Sequence, residues 1–247
     1  VRMQGLNSGL FFKPGTVITG EICCEATSNT TTVEITSAGA LTLAASGSII
    51  MAPGAGGTFQ IGPSYWIGSN LTTFTVNGTI SNQSANGTLV VDPTTSVNAA
   101  GATLSATGGG LLDIRDLSGN VRGPSVSGTD SEVRLAGNYT LNTVTNIATG
   151  NFLTLSGTWA NTSTINLSGT LNINGGNSGG LGTINRTGGS FAVTGTLDNT
   201  GRNIALNAAT GDWTIDGGTI SGGTVTCSGG ARIIASGTSS NNRLLNV

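Results

Sequence analysis

The 247-residue chain contains no histidine, a single lysine (Lys13), three cysteines and five prolines, and only 8% of its residues are charged. Each shortage removes a class of function. Without histidine, neither a Ser-His-Asp nor a Cys-His nucleophile system can be assembled, and zinc sites that use histidine are gone as well. The nine basic residues stand singly along the chain and the net charge is −2. Nothing tracks a phosphate backbone, so nucleic acid is not an expected partner. No apolar run reaches the roughly 18 residues of a membrane-spanning helix. The start, VRMQGLNSGLFFKPG, is too short in its apolar part for a signal h-region. Because the chain begins with Val, it reads as a processed or excised piece.

Nucleotide motifs are missing too. There is no G-x-x-x-x-G-K-[ST] loop and no G-x-G-x-x-G between a strand and a helix. The Gly-rich triplets read as corners, since no helix follows to present its N-terminus to a phosphate. No cofactor is expected.

Glycine, by contrast, is abundant: 41 residues, with no every-third register that would mark collagen. Gly-Thr followed by an apolar residue begins at Gly157, Gly169, Gly182 and Gly195, at steps of 12, 13 and 13, and returns at Gly218. Between these points lie short alternating pairs: Leu153 with Leu155, Ile165 with Leu167, Leu171 with Ile173, Phe191 with Val193, Ile204 with Leu206, and Trp213 with Ile215. Period 2 over so few residues predicts short strands with one buried face. The earlier half reads similarly in TTVEI (31–35), FTVNGTI (74–80), GTLVVD (87–92) and EVRL (132–135). Nowhere does a 3.6-residue period persist for ten residues.

Short strands at this spacing predict an all-β fold: a right-handed parallel β-helix of about ten coils, each of roughly 20–27 residues. Two Gly-Thr steps would make one coil, and the rod would be on the order of 50 Å long. A two-sheet sandwich or jelly roll is the alternative architecture. The solenoid accounts for the composition. Outward Thr and Asn stack on their equivalents above and below, whereas stacked like charges would repel. Residues 1–247 form one domain on this reading. Residues 1–30 are the candidate N-terminal cap and residues 228–247 the candidate C-terminal cap or stacking end.

The stretches SGTLNINGG, GTINRTGG, VTGTLDNTG and TIDGGTISGGTVT resemble the coils of bacterial surface proteins of the autotransporter-passenger and filamentous-haemagglutinin type. The resemblance spans residues 153–225. It implies a right-handed β-helix at the cell surface or outside the cell, serving adhesion or surface structure without catalysis. A host or matrix glycan or protein would then be the partner. It carries no motif of functional residues.

Candidate sites come from the few reactive side chains. Asp113 and Asp116 flank Arg115, and Asp212 and Asp216 flank Trp213, pairs that an acid-based polysaccharide lyase or hydrolase could use. Asp113 and Asp116 have opposite side-chain parity, which places one of them at a corner. Trp66 with neighbouring Tyr65, and Trp213, are candidate glycan contacts, with core packing as the competing role for the tryptophans. Thr-x-Thr repeats are not one coil apart and give no regular ice-binding array. Nine N-x-[ST] sequons would be outward acceptor sites in a glycosylating organism.

Cys23 and Cys24 are adjacent, and Cys227 lies near the other end. An odd count leaves a free thiol or a bond between chains. Cys23 or Cys24 of one copy joined to Cys227 of the next would link a head-to-tail filament. The competing role for Cys227 is an inward-facing small hydrophobe, since it alternates with Val225. Self-association through the solenoid ends is thus a second function to test beside the first.

Overall fold

A computed structural model describes residues 1–4, 8–28, 32–64, 70–176 and 180–247. Among them every regular element is a strand, and every pairing between strands is parallel. The chain winds as a right-handed parallel β-solenoid. Each winding contributes up to three short strands, one to each of three faces. The second face runs without interruption through eleven strands, from Ser8–Phe12 to Ile233–Ala235. Ten spacings of about 4.8 Å make that ladder about 48 Å long.

Register decides which side chains meet. On the second face Val33, Phe59, Leu89, Leu112, Val133, Leu153, Leu171 and Phe191 stand above one another, all pointing inward and buried. A second inward column runs through Ile35, Ile61, Val91, Ile114, Leu135, Leu155, Ile173 and Val193. The alternating pairs Leu153/Leu155, Leu171/Ile173, Phe191/Val193 and Trp213/Ile215 fall in these two columns, whereas Ile165/Leu167 and Ile204/Leu206 point inward from the first face. A slip of one residue would turn a whole pair outward, so register is strongly fixed.

The windings are more variable than the Gly-Thr steps imply. Their length ranges from 18 residues, between Leu153 and Leu171, to 33, between Leu41 and Phe74. Two Gly-Thr steps do not make one coil. Because each winding carries three strands, Gly157 precedes a third-face strand, Gly169 a second-face strand and Gly182 a first-face strand. The third face is reached again at Gly195, two windings on from Gly157.

At the corner into the third face Gly137, Gly157, Gly175, Gly195 and Gly218 form a column. A Cβ on Gly157 would collide with the backbone of Gly137, and a Cβ on Gly175 with the backbone of Gly157. Only a residue without a side chain lets successive corners approach this closely.

Asparagines satisfy other corners from inside. Asn151 is fully buried; its amide donates to the carbonyls of Gly128 and Thr149, and its oxygen accepts from the Ser131 N–H. Asn82, Asn161 and Asn199 are buried and bridge windings in the same way. Asn82 and Asn161 begin two of the sequons, so these two are not outward acceptor sites.

The ends keep the three-strand form. Residues 2–18 make the first winding and residues 224–245 the last. Cys227 faces inward by register, above Leu206, but no winding covers it and it is exposed. Cys23 and Cys24 lie buried in the second winding, paired with Arg2 and Met3 of the first.

Candidate functional site

Of eleven acidic and nine basic residues, four and two respectively gather on the second face near mid-rod. Asp92 follows the strand Asn86–Val91. Asp113, Arg115 and Asp116 lie on Leu111–Val121, and Glu132 and Arg134 on Glu132–Leu141. Residues more than twenty positions apart meet because one winding separates them.

Arg115 holds the cluster together. Its Nη1 donates to Asp92 at 2.8 Å, and its Nε and Nη2 donate to Asp113 Oδ2 at 2.9 and 2.8 Å. Arg134 forks onto Glu132 at 2.8 and 2.9 Å, and the Thr154 hydroxyl donates to the same carboxylate at 2.9 Å. Partial burial opposes the charge on Arg115, but Asp113 and Asp92 outweigh it and hold the guanidinium pKa above its ordinary value. The Glu132 hydrogen bonds raise Arg134 likewise.

Asp116 is the exception. It adopts a left-handed φ of 54° at the point where register shifts between Ile114 and Leu117. This is the corner that the parity of Asp113 and Asp116 predicts. Desolvation, followed by the nearby Asp92 carboxylate, raises the Asp116 pKa above the usual aspartate value.

Beside the cluster runs a shallow groove of about 490 Å³, bounded by Asp113, Arg115, Glu132 and Arg134 and continuing past Thr154, Asn172 and Thr194. Besides the four charged side chains, Thr154, Ser156, Asn172, Asn174 and Thr194 line it with hydroxyl and amide groups. Those groups offer hydrogen bonds to a polar chain, and the charged ones are already paired with each other in part.

The other candidates are dispersed. Asp212 accepts from the Arg232 N–H at 2.8 Å, and Asp216 accepts from the Thr238 hydroxyl at 2.9 Å. These two acids tie their winding to the next at opposite ends of the strand Trp213–Ile215. Trp213 is 2% exposed and stacks on Phe191. Trp159 is 1% exposed and sits over Tyr139. Tyr65 and Trp66 lie outside the described residues. Among the described residues no three His, Cys, Asp or Glu side chains gather in a way that would hold a metal ion, and no helix is long and apolar enough to cross a membrane.

Sequence reasoning missed Asp92, Glu132 and Arg134. The signal was present as a spacing: Asp92, Asp113 and Arg134 are each 21 residues apart, close to one winding.

No family model matches the sequence, and neither the curated proteins nor the solved structures contain a significant match. The fold therefore defines the class on its own: a parallel β-solenoid scaffold.

Proposed function

We propose that this chain is a non-enzymatic structural or adhesive module of an extracellular or cell-surface protein, and that it holds a polar groove on a stiff rod. The observation that carries this reading is the outward ladder of uncharged side chains. The Asn166 amide donates to Asn146 at 2.8 Å, and the Asn185 amide donates to Asn166 at 3.2 Å. A ladder of this kind ties windings together from outside while the hydrophobic columns do so from within. The carboxylates of the central cluster are largely engaged with Arg115 and Arg134, which favours a contact surface over acid-base chemistry. The coil resemblance to bacterial surface proteins supports the location. The natural ligand of such a groove is an uncharged stretch of matrix glycan.

The test is retention under flow of beads coated with the purified chain, on a panel of matrix glycans and proteins. Retention on at least one surface, lost in the Arg115→Ala/Arg134→Ala double variant, is the expected result. Release of cleaved glycan by the native chain, abolished in Asp116→Asn, would replace adhesion with catalysis.

End-to-end self-association has separate support. The last winding exposes Leu244 and Leu245, and the first exposes Phe11 and Val17. Strand edges next to exposed apolar side chains favour heterologous stacking of copies. Sedimentation across a hundredfold concentration range, with electron micrographs of the same samples, reads this directly. A uniform single-rod species throughout would dismiss it.

A further inference from the structure

The ladder of the first face stops at one place. Nine of its strands are joined from Arg2–Met3 to Thr183–Arg186. The next strand, Asn203–Leu206, is hydrogen-bonded to Thr224–Cys227 above it but not to Thr183–Arg186 below. At this seam the winding of residues 183–198 meets that of residues 203–221 on two faces only. Ala192 and Val193 pair with Thr214 and Ile215 on the second, and Thr196–Asp198 pairs with Thr219–Ser221 on the third.

Above the seam the chain is tied more completely. The windings of residues 203–221 and 224–245 pair on all three faces. Side chains reinforce them: Asp212 accepts from the Arg232 N–H, Asp216 from the Thr238 hydroxyl and Asn242 from the Gly217 N–H, at 2.8, 2.9 and 2.8 Å.

Arg186 accounts for the missing strand pairing. By register it follows Ile147 and Leu167 in an inward column, where an apolar side chain is expected. A guanidinium cannot be left there without partners. It turns toward the corner and donates to the carbonyls of Gly188 and Gly189 at 2.9 and 2.6 Å, and across the seam to that of Asp212 at 2.6 Å. It lies so close to the next winding that a Cβ on Gly211 would meet its Nη1 at 2.6 Å. Arg186 therefore spreads the first face and clips the corner beside it. Asn199 supplies a second clip, its amide donating to the carbonyls of Gly222 and Thr224 at 3.2 and 3.0 Å.

A solenoid winding owes most of its stability to the windings it touches, so stability along the rod is close to a sum of interfaces. Where all three faces are paired, loss of an end winding leaves the next one held from below, and unravelling stops. The seam reverses this. Once residues 224–245 come away, residues 203–221 are held by two faces and the two clips, and they follow.

We propose that residues 203–245 form a single opening unit, which swings or melts away as one piece while the rod below stays folded. Opening breaks the Arg186 and Asn199 clips and uncovers Phe191, Val193 and Leu197, all buried in the closed rod. It also frees the upper edges of Ser190–Val193 and Thr196–Asp198, a template for strand pairing that the closed rod hides. The unit is thus a built-in cover over a sticky end. It goes beyond the adhesive reading and does not depend on it.

Native-state hydrogen exchange on the full chain at neutral pH tests this. The strands of residues 203–221 and 224–245 should share one opening constant. It should exceed that of Phe152–Leu155 and Thr170–Ile173 by about a hundredfold, the worth of two or three net backbone hydrogen bonds. Residues 224–245 exchanging well before 203–221 would be ordinary fraying and would overturn the unit, as would equal protection from 152 to 245. Arg186→Leu, which repeats the leucine of the winding below, should close the ladder. It should slow exchange in Asn203–Leu206 about tenfold or more while residues 224–245 still fray. Arg186→Met serves where leucine does not pack. Unchanged exchange at Asn203–Leu206 in a folded variant overturns the role of Arg186. Because no ligand enters the measurement, none of these outcomes bears on adhesion.

Discussion

Phe191 and Trp213 lie face to face, with ring centroids 3.6 Å apart and planes 10° from parallel. In-register parallel pairing imposes this geometry, because it sets equivalent side chains of successive windings directly above one another. The stack sits at the level where the first-face ladder is interrupted. There the aromatic pair adds to the second-face and third-face pairing that still joins the two windings.

Trp213→Ala is accordingly expected to cost about 3–5 kcal/mol, the usual range for removing a buried aromatic. The loss should also be uneven along the rod. Hydrogen exchange should show residues 203–245 losing protection while the windings below residue 176 keep theirs. Equal loss along the whole rod would show that the stack is not a local hinge between two blocks.

The corner glycines give a comparison between neighbours in sequence. Gly150 and Gly157 have similar left-handed φ values, 75° and 78°. A Cβ on Gly150 meets nothing within 4 Å, whereas one on Gly157 runs into the Gly137 backbone. Gly150→Ala should cost about 1–2 kcal/mol, the strain of a left-handed alanine. Gly157→Ala adds a collision between two backbones, worth a further 1–3 kcal/mol or so. Urea denaturation of the two variants checks the difference. Equal midpoints would mean that the glycine column is not what sets the spacing of the corners.

These particulars show where the sequence was legible. The alternating pairs Leu153/Leu155 and Leu171/Ile173 announce inward columns directly, since side-chain parity is a local property. The number of strands per winding is not local. The same Gly-Thr step begins strands on three different faces, and only pairing across windings shows which. The charge cluster was hidden for the same reason, since Asp92, Arg115 and Arg134 become neighbours only once winding length is known. The interruption at Arg186 left a visible trace. STINLSG (163–169) and GTINRTG (182–188) differ at the last inward position, where leucine gives way to arginine.

Asp116 makes stability depend on pH in a direction opposite to that of a salt-bridged aspartate. Its folded pKa lies above the ordinary aspartate value, because of desolvation and then the Asp92 carboxylate. Between the unfolded and folded values the native chain therefore binds more protons than the unfolded chain, and stability falls as pH rises through that window. Asp116→Asn removes the repulsion and suits the left-handed backbone at this position. The variant should melt higher than the native chain at pH 7, and its advantage should shrink toward pH 3. A constant difference across that range would assign the effect to backbone preference alone.

The thiols fall into two kinds that chemistry can separate. Cys23 and Cys24 are buried and free, and burial is the leading cause that raises both pKa values. Cys227 is free and exposed. A disulfide-exchange reagent at pH 8 should therefore titrate one thiol rapidly and the other two only after denaturant is added. The same burial bears on linkage between copies. A head-to-tail bond from Cys227 to Cys23 or Cys24 needs a second-winding thiol that the first winding covers. A bond between two exposed Cys227 thiols needs no rearrangement, and it ends at a dimer because each copy offers one such group. Mild oxidation should thus give a dimer that reductant reverses and Cys227→Ser abolishes, with no higher species on a non-reducing gel. A ladder of multimers that survives in Cys227→Ser would show that the first winding opens readily enough to expose Cys23 or Cys24.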